Sequence, residues 1–474
     1  MPLNRSTPSL RWRLFLAFLL LPSTLSAAQP DREALEAETM RHFQALIRLD
    51  TTDPPGREVD AADYLEKVLT AEGIEVNRFA LEAHRPNIVA RLRGNGSARP
   101  VLIMAHTDTV NVDPAKWTHP PFSADTEGGH IYGRGTLDDK DNVVAALMTM
   151  LTLKRLKVPL NRDVIFLAES GEEGATRVGI QYMVNNHFPE IDAEFCYAEG
   201  GSVARREGKV RFASVQTTEK IPRAIELTAS GPAGHGSVPL RQNAVLHLTR
   251  AVAKVGDWRI PVSLNETTMA YFQRLAGISE PEAAQRYLDI LHPDPAIRAR
   301  ADDWFVENEP LHASMVRTSI SPTIINGGYR VNVIPSEAKA TLDTRLEPAQ
   351  DPETFLETVR QVIDDPAIKV AWVPRDLRPP GISGLNTEAF KVLEAAVTKH
   401  YSATTLPTMS TGATDMAYLR SRGIACYGIG PAVDGEDGPL GYGPHSDQER
   451  ILESELHRFV RFNYDIVRNL AAGG

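Results

Sequence analysis

Cysteine is nearly absent: Cys196 and Cys426 are the only two in 474 residues. Two thiols cannot build a cysteine-rich zinc site. Both sit in apolar, strand-like runs ("AEFCYAEG", "GIACYGIG"), where a buried free thiol is as natural as a disulfide, and their pairing stays open. No run rich in lysine or arginine is present and the formal net charge is −10, which argues against a nucleic-acid partner. Beyond the first 28 residues no second apolar run reaches membrane-spanning length. Internal repeats and low-complexity linkers are missing as well. What remains, 42% hydrophobic and 24% charged, is the composition of an ordinary globular protein long enough for two or three domains.

The first 28 residues differ from the rest. Arg5, Arg11 and Arg13 precede "LFLAFLLLPSTLSAA", and Ser26 and Ala28 supply the small residues of a cleavage site, so that Gln29 begins the mature chain. A basic start, a short apolar core and a small-residue exit make a secretory signal peptide over residues 1–28. The apolar run is short for a bilayer anchor. The expectation is an exported protein, periplasmic or secreted, with no membrane span after cleavage.

Apolar residues at helical spacing (Leu35, Phe43, Leu46, Ile47) predict a first helix, and a second follows over 61–72. The apolar runs "RPVLIMAHTDTV", "DVIFLAES" and "AEFCYAEG" then alternate with the helical stretch "DNVVAALMTMLTLKRL" and a helix near Ile180. Strands alternating with helices predict an α/β sheet with helices on its faces. After about Ser214 the pattern turns to strands and turns, interrupted by a polar helical stretch over about 264–309. A helix, the strand "GIACYGIG" and a closing helix return near the end. The predicted architecture is an α/β catalytic domain with a mixed sheet in two sequence pieces, 29–216 and 381–474. Between them lies an inserted α+β lid or dimerisation domain, 217–380, that contains the helical insertion.

Four of the strand-like runs lead into residues able to bind metal. "VLIMAHTD" ends at His106 and Asp108, "VIFLAESGEE" at Glu172 and Glu173, and "FCYAEG" at Glu199. "ACYGIGP" is followed by a glycine-rich loop and His445. A fifth element, "YGRGTLDDKD", places Asp138 and Asp139 between a glycine turn and a helix. In open α/β sheets the ligand crevice lies beyond the carboxyl ends of strands, so runs far apart in sequence deliver these groups to one place. Zinc takes histidine nitrogen and carboxylate oxygen, and two ions about 3.5–4 Å apart need a bridging carboxylate between them. The HxD spacing lets Asp108 accept a hydrogen bond from the second ring nitrogen of His106 and so fix its tautomer.

This arrangement resembles the co-catalytic di-zinc peptidase family of carboxypeptidase G, aminoacylase, succinyl-diaminopimelate desuccinylase and carboxypeptidase S. "MAHTDTV", "YGRGTLDDK", "GEEG", "AEGG" and "GPHSDQE" are similar to its motifs in order, and the carboxypeptidase S-like branch fits best. The resemblance implies two Zn²⁺ per chain, with Co²⁺ or Mn²⁺ able to use the same ligands. One ion would be held by His106, Asp138 and Glu199, the other by Asp138, Glu173 and His445. Glu172 becomes the general base and Asp108 the partner of His106.

"SGPAGHGSVP" resembles the lid motif in which a histidine, here His235, stabilises the oxyanion, in dimeric members from the partner subunit. "NVIP" (Asn332) and "LDTRLEP" (Arg345) resemble the residues that hold a substrate carboxylate, a task suited to the planar fork of arginine. "STGATD", with Gly412 and Thr414, resembles the glycine-rich loop beside the substrate. The implied activity is carboxypeptidase-like hydrolysis of an amide next to a free carboxylate. Deacylation of N-acyl amino acids is the second reading, and a non-catalytic metal- or peptide-binding homologue a remote third. The implied partners are a small peptide or N-acyl amino acid and a second copy of the chain through the lid. The helical insertion is long enough to cover the edge such a dimer uses.

Overall fold

A computed structural model describes residue 1 and residues 31–374 and 378–472. The signal segment lies outside the described residues. A ten-stranded mixed sheet dominates the molecule. At its centre run four parallel strands in the order Val164–Glu169, Val101–His106, Phe195–Ala198 and Ala425–Gly428. Val101–His106 and Val164–Glu169 are buried along their whole length, as expected for strands covered on both faces. Successive side chains serve opposite layers. Val101, Ile103 and Ala105 join the core beneath the helices Lys140–Arg155 and Glu453–Ala472, while Leu102 and Met104 pack with Ile180 and Met183 of the helix Ile180–Asn186.

The second sheet has four antiparallel strands in the order Ser319–Gly327, Glu337–Leu346, Ile221–Ser230 and Ile368–Trp372. Glu337–Leu346 alternates buried and half-buried positions, and one face of the sheet is covered by Ala244–Asp257 and Pro352–Ile363. The chain passes from the large sheet into this smaller one at Lys220, between the strands Lys209–Glu219 and Ile221–Ser230. Ser319–Gly327 forms its outer edge, with Ile324 and Ile325 exposed.

The helices Glu266–Ala276, Pro281–Asp289, Pro295–Asn308 and Pro310–Met315 depart from the expected placement over that edge. Their core of Tyr271, Phe272, Leu275, Tyr287 and Phe305 closes on Leu406, in the strand Thr405–Ser410 of the large sheet. Arg274 reinforces this by donating to Glu394 (2.7 Å) and to the Thr405 carbonyl (2.9 Å). The apolar face of the insertion therefore belongs to the large sheet, and among the described residues no strand pairs with the outer side of Ser319–Gly327. Cys196 and Cys426 sit opposite each other on neighbouring parallel strands, both buried free thiols. Among the described residues no helix is long and apolar enough to cross a membrane.

Candidate active site

The carboxyl ends of the central parallel strands point to one side of the sheet. His106 ends its strand in register with Glu169, whose strand continues into the turn carrying Glu172 and Glu173. Glu199 follows the next strand, Phe195–Ala198. Asp138 precedes the helix Lys140–Arg155, and His445 comes from the loop after Ala432–Asp434. These elements bring the ligand atoms of His106, Asp138 and Glu199 within 4.8 Å of one another, and those of Asp138, Glu173 and His445 likewise. Asp138 belongs to both groups. Its Oδ1 lies 3.0 Å from His106 Nε2 and its Oδ2 lies 3.0 Å from His445 Nε2, so each carboxylate oxygen faces a different histidine. His445 Nε2 is also 3.0 Å from Glu173 Oε1. His445 holds a left-handed backbone (φ 60°), a conformation that costs a non-glycine residue about 1 kcal/mol or more and needs surrounding contacts to persist.

The donor set fits two divalent cations: two imidazoles, two single carboxylates and one carboxylate with both oxygens directed outward. The electrostatics point the same way. Burial, then the carboxylates of Glu172 and Asp138, push Glu199 well above the usual carboxylate range. Hydrogen bonds to Asp138 and Glu173 push His445 up to about 10. Burial opposes charge on His106, yet Asp108 and Asp138 outweigh it and lift the ring well above its ordinary value. Acids this crowded call for positive charge between them.

Asp108 does more than the HxD spacing suggested. His106 Nδ1 lies 3.0 Å from the Asp108 backbone carbonyl and 3.5 Å from its carboxylate, so the backbone is the nearer partner. The carboxylate instead accepts the backbone N–H groups of Gly171 (2.9 Å), Glu172 (3.2 Å) and Glu173 (3.0 Å). It thereby fixes the turn that aims the two acids.

The other predicted site residues are outside the two candidate ligand groups. His235 is exposed on the short strand Gly234–His235, with Ser237 as its hydrogen-bond partner. Asn332 is exposed in the adjoining loop. Arg345 donates through Nε to Asp343 on its own strand (3.1 Å). Thr414 is buried, and its N–H and hydroxyl donate to Glu219 (2.9 and 2.7 Å), which Arg420 also binds (2.9 Å). Gly412 is exposed, its N–H donating to Ser410 (3.0 Å).

Two residues that sequence reasoning passed over, Arg378 and Glu449, and one it named without a role, Asp139, are built into the site. Arg378 donates to Glu172 Oε1 (2.9 Å), and its other terminal nitrogen lies 3.0 Å from Asp415 Oδ1. Glu449, fully buried, accepts from Arg134 (2.6 Å) and from the backbone N–H groups of Gly135 (3.2 Å) and Leu137 (2.7 Å), which ties the histidine loop to the loop presenting Asp138. Asp139 accepts the His106 N–H (3.1 Å) and an amide hydrogen of Asn142 (2.6 Å), so it braces the site from below while Asp138 faces it. Glu449 follows the motif histidine by four residues, and the adjacency of Asp139 to Asp138 was the one available sign of its role. Arg378 carried no signal beyond a lone arginine before two prolines.

Comparison with known proteins agrees with this picture. Residues 102–469 match the model of "Peptidase family M20/M25/M40". The chain is 28% identical to "Probable carboxypeptidase S-like 2" of Dictyostelium discoideum, over 79% of this chain and 72% of that protein. It is 27% identical to "N-fatty-acyl-amino acid synthase/hydrolase PM20D1" of Homo sapiens, over 79% and 74%. In fold it is similar to an M20 family metallo-carboxypeptidase from Sulfolobus solfataricus, with TM-score 0.69 and 20% identity over 91% of this chain and 98% of that one. It is also similar to human carnosine dipeptidase 1, with TM-score 0.63 and 16% identity over 92% and 96%.

Proposed function

The chain belongs to the M20/M25/M40 family of peptidases, and from that premise we propose that it is a two-metal hydrolase cleaving an amide beside a free carboxylate, with Glu172 as general base. The observation that carries this reading is Asp138, shared by two complete ligand sets, with Glu172 next in sequence to the ligand Glu173. Divalent ions held there would polarise the amide carbonyl and make water a stronger acid. Zinc suits these ligands best, and cobalt or manganese could take its place.

Glu172 accepts a proton from the water that attacks the carbonyl carbon. As the C–N bond breaks, it returns that proton to the leaving nitrogen, so that one carboxyl serves as base and then as acid. Burial, together with Glu173 and Asp108, favours the protonated form of Glu172, and the Arg378 guanidinium offsets this. Arg378, with His106 after it, thus opposes protonation of Glu172 without reversing the upward shift that burial imposes. His235, Asn332 and Arg345 would join the substrate by movement of the small sheet about its junction at Lys220, or from a second copy.

A homodimer through the small sheet is part of this proposal. Among the described residues the edge strand Ser319–Gly327 has one unpaired side, and Ile324, Ile325, Tyr329 and Val331 are exposed beside it. An unprotected apolar edge is a template for pairing with another chain. Export to the periplasm or beyond is likewise proposed, on the strength of the signal-like segment 1–28.

Deacylation of N-acyl amino acids is the second reading, favoured by an apolar cavity that opens beside Asp138 and Glu199. Assays of dipeptides and N-acyl amino acids, each with the carboxylate free and as the amide, with and without chelator, test the reading. Chelator-sensitive cleavage restricted to free carboxylates supports it. Cleavage indifferent to the carboxylate removes the carboxylate requirement, and cleavage indifferent to chelator removes the metals.

A further inference from the structure

The loop that delivers His445 is bounded at both ends by a cluster of polar side chains outside the two catalytic ligand sets. Asp434 closes the strand Ala432–Asp434, and Asp437 lies just beyond it at the start of the loop. His130 opens the short strand His130–Tyr132, which pairs with Arg450–Leu452 where the loop ends. One ligand atom from each of His130, Asp434 and Asp437 lies within 4.8 Å of the other two, and none of the three residues belongs to the groups that share Asp138.

Two further observations point to a bound cation. His130 Nδ1 lies 3.2 Å from the Gly128 carbonyl, which can only accept, so Nδ1 carries the proton and Nε2 keeps its lone pair. Metal-binding histidines are held in this way, the second ring nitrogen donating to a backbone carbonyl or a carboxylate. The other observation is Asp434 Oδ1, which is buried and has no hydrogen-bond partner among the described residues. Arg205 Nε lies 3.4 Å from it without forming a hydrogen bond. An oxygen taken out of water in this way calls for positive charge.

Arginines already share both carboxylates. Arg450 donates to the two oxygens of Asp437 (2.6 and 3.3 Å), and Arg205 stands beside Asp434. A carboxylate offers about four acceptor positions, so each can hold an ion and an arginine together. The nearby guanidinium charge lowers the affinity, so this cluster fills after the catalytic pair. Protein with two ions per chain is the form in which it is unfilled.

We propose that His130, Asp434 and Asp437 form a third divalent-cation site, filled under excess metal, that ties the two ends of the His445 loop together. One imidazole and two carboxylates suit zinc, and three protein ligands leave a position for water. Binding at this site does not depend on the hydrolase reading above; its effect on the loop that presents His445 does.

The test is equilibrium dialysis of protein loaded with two Zn²⁺ per chain against further Zn²⁺. One more ion is expected to bind, more weakly than the first two. Loss of an outer partner of a metal ligand costs about 10–100-fold in affinity, so His130→Gln, which removes a ligand itself, is expected to weaken the added ion by about 100-fold or more and to retain the first two. No added ion, or one bound equally well by His130→Gln protein, overturns the proposal. Asp138→Asn removes the carboxylate common to both catalytic sets. A weak ion kept by that variant and lost when His130→Gln is added upholds the site even where the hydrolase reading fails. Anomalous scattering at the zinc edge, from wild-type crystals grown in excess Zn²⁺, needs no variant. A peak among the three side chains upholds the site, and peaks only at other residues reject it.

Discussion

Glu449 offers the most quantitative test of how the site is built. Its carboxylate and the Arg134 guanidinium are both almost fully buried and 2.6 Å apart, and the same carboxylate accepts two backbone N–H groups of the loop that presents Asp138. Glu449→Ala leaves a buried arginine without its counter-charge, at a cost of about 3–5 kcal/mol. It also frees the Asp138 loop, and loss of such an outer support lowers metal affinity about 10–100-fold. Urea unfolding reads the first effect and competition with a metal-indicator dye the second. The double variant Arg134→Met with Glu449→Leu separates them. Removing both charges restores most of the stability, because replacing a buried pair by apolar groups is often close to neutral. The N–H groups of Gly135 and Leu137 still lack an acceptor, so metal affinity stays low. Recovery of metal affinity in the double variant would refute the argument, as would Glu449→Ala unfolding within about 0.5 kcal/mol of wild type, the range of an ordinary surface change.

Other parts of the structure carry predictions of their own. Asp108→Ala removes the acceptor for three N–H groups of the 171–173 turn and is expected to weaken metal binding about 10–100-fold, with Asp108→Asn between it and wild type in dye competition. Ile325→Lys on the exposed edge strand is expected to shift a dimer to monomer in light scattering, and an unchanged mass rejects that interface. Burial raises Asp465, but His400 (2.6 Å) and Lys399 outweigh it and hold its carboxyl below the ordinary value. A depressed folded-state pKa gives stability that is present above the unfolded pKa and lost as pH falls through the folded one. Asp465→Asn should therefore lose stability at neutral pH, and its difference from wild type should shrink as pH falls below the free-aspartate value of about 3.9. A constant difference across that window contradicts the assignment.

His106, Glu173 and Glu199 were legible as candidates because each ends or closely follows an apolar run, and Asp138 and His445 because each follows a glycine-rich turn. Val101–His106 and Val164–Glu169 are buried on both faces, so polar residues at or just beyond their ends mark where the sheet meets solvent and ligand. The division between two sheets was legible in the same way, from the change of pattern near 214, although the strand itself runs on to Glu219. What could not be read depends on contacts between distant segments. Arg378 meets Glu172 across 206 positions and Glu449 meets Leu137 across 312, and no local pattern encodes either. The helical insertion looked like part of the lid because it lies inside it in sequence. Its docking on Leu406 follows from the aromatic face formed by Phe272 and Phe305, which becomes visible only once the helices are assembled. Thr414 illustrates the same point: its contact with Glu219, 195 positions away, has no local signature.

The measurement closest to the central claim is metal content and turnover in the Glu172→Gln protein beside wild type, on the best free-carboxylate substrate. The account predicts two divalent ions per chain in both proteins and a fall in kcat of about 10²–10⁴-fold in the variant, the range for loss of a general acid–base. Unchanged turnover, or one ion per chain in the active wild type, would contradict it.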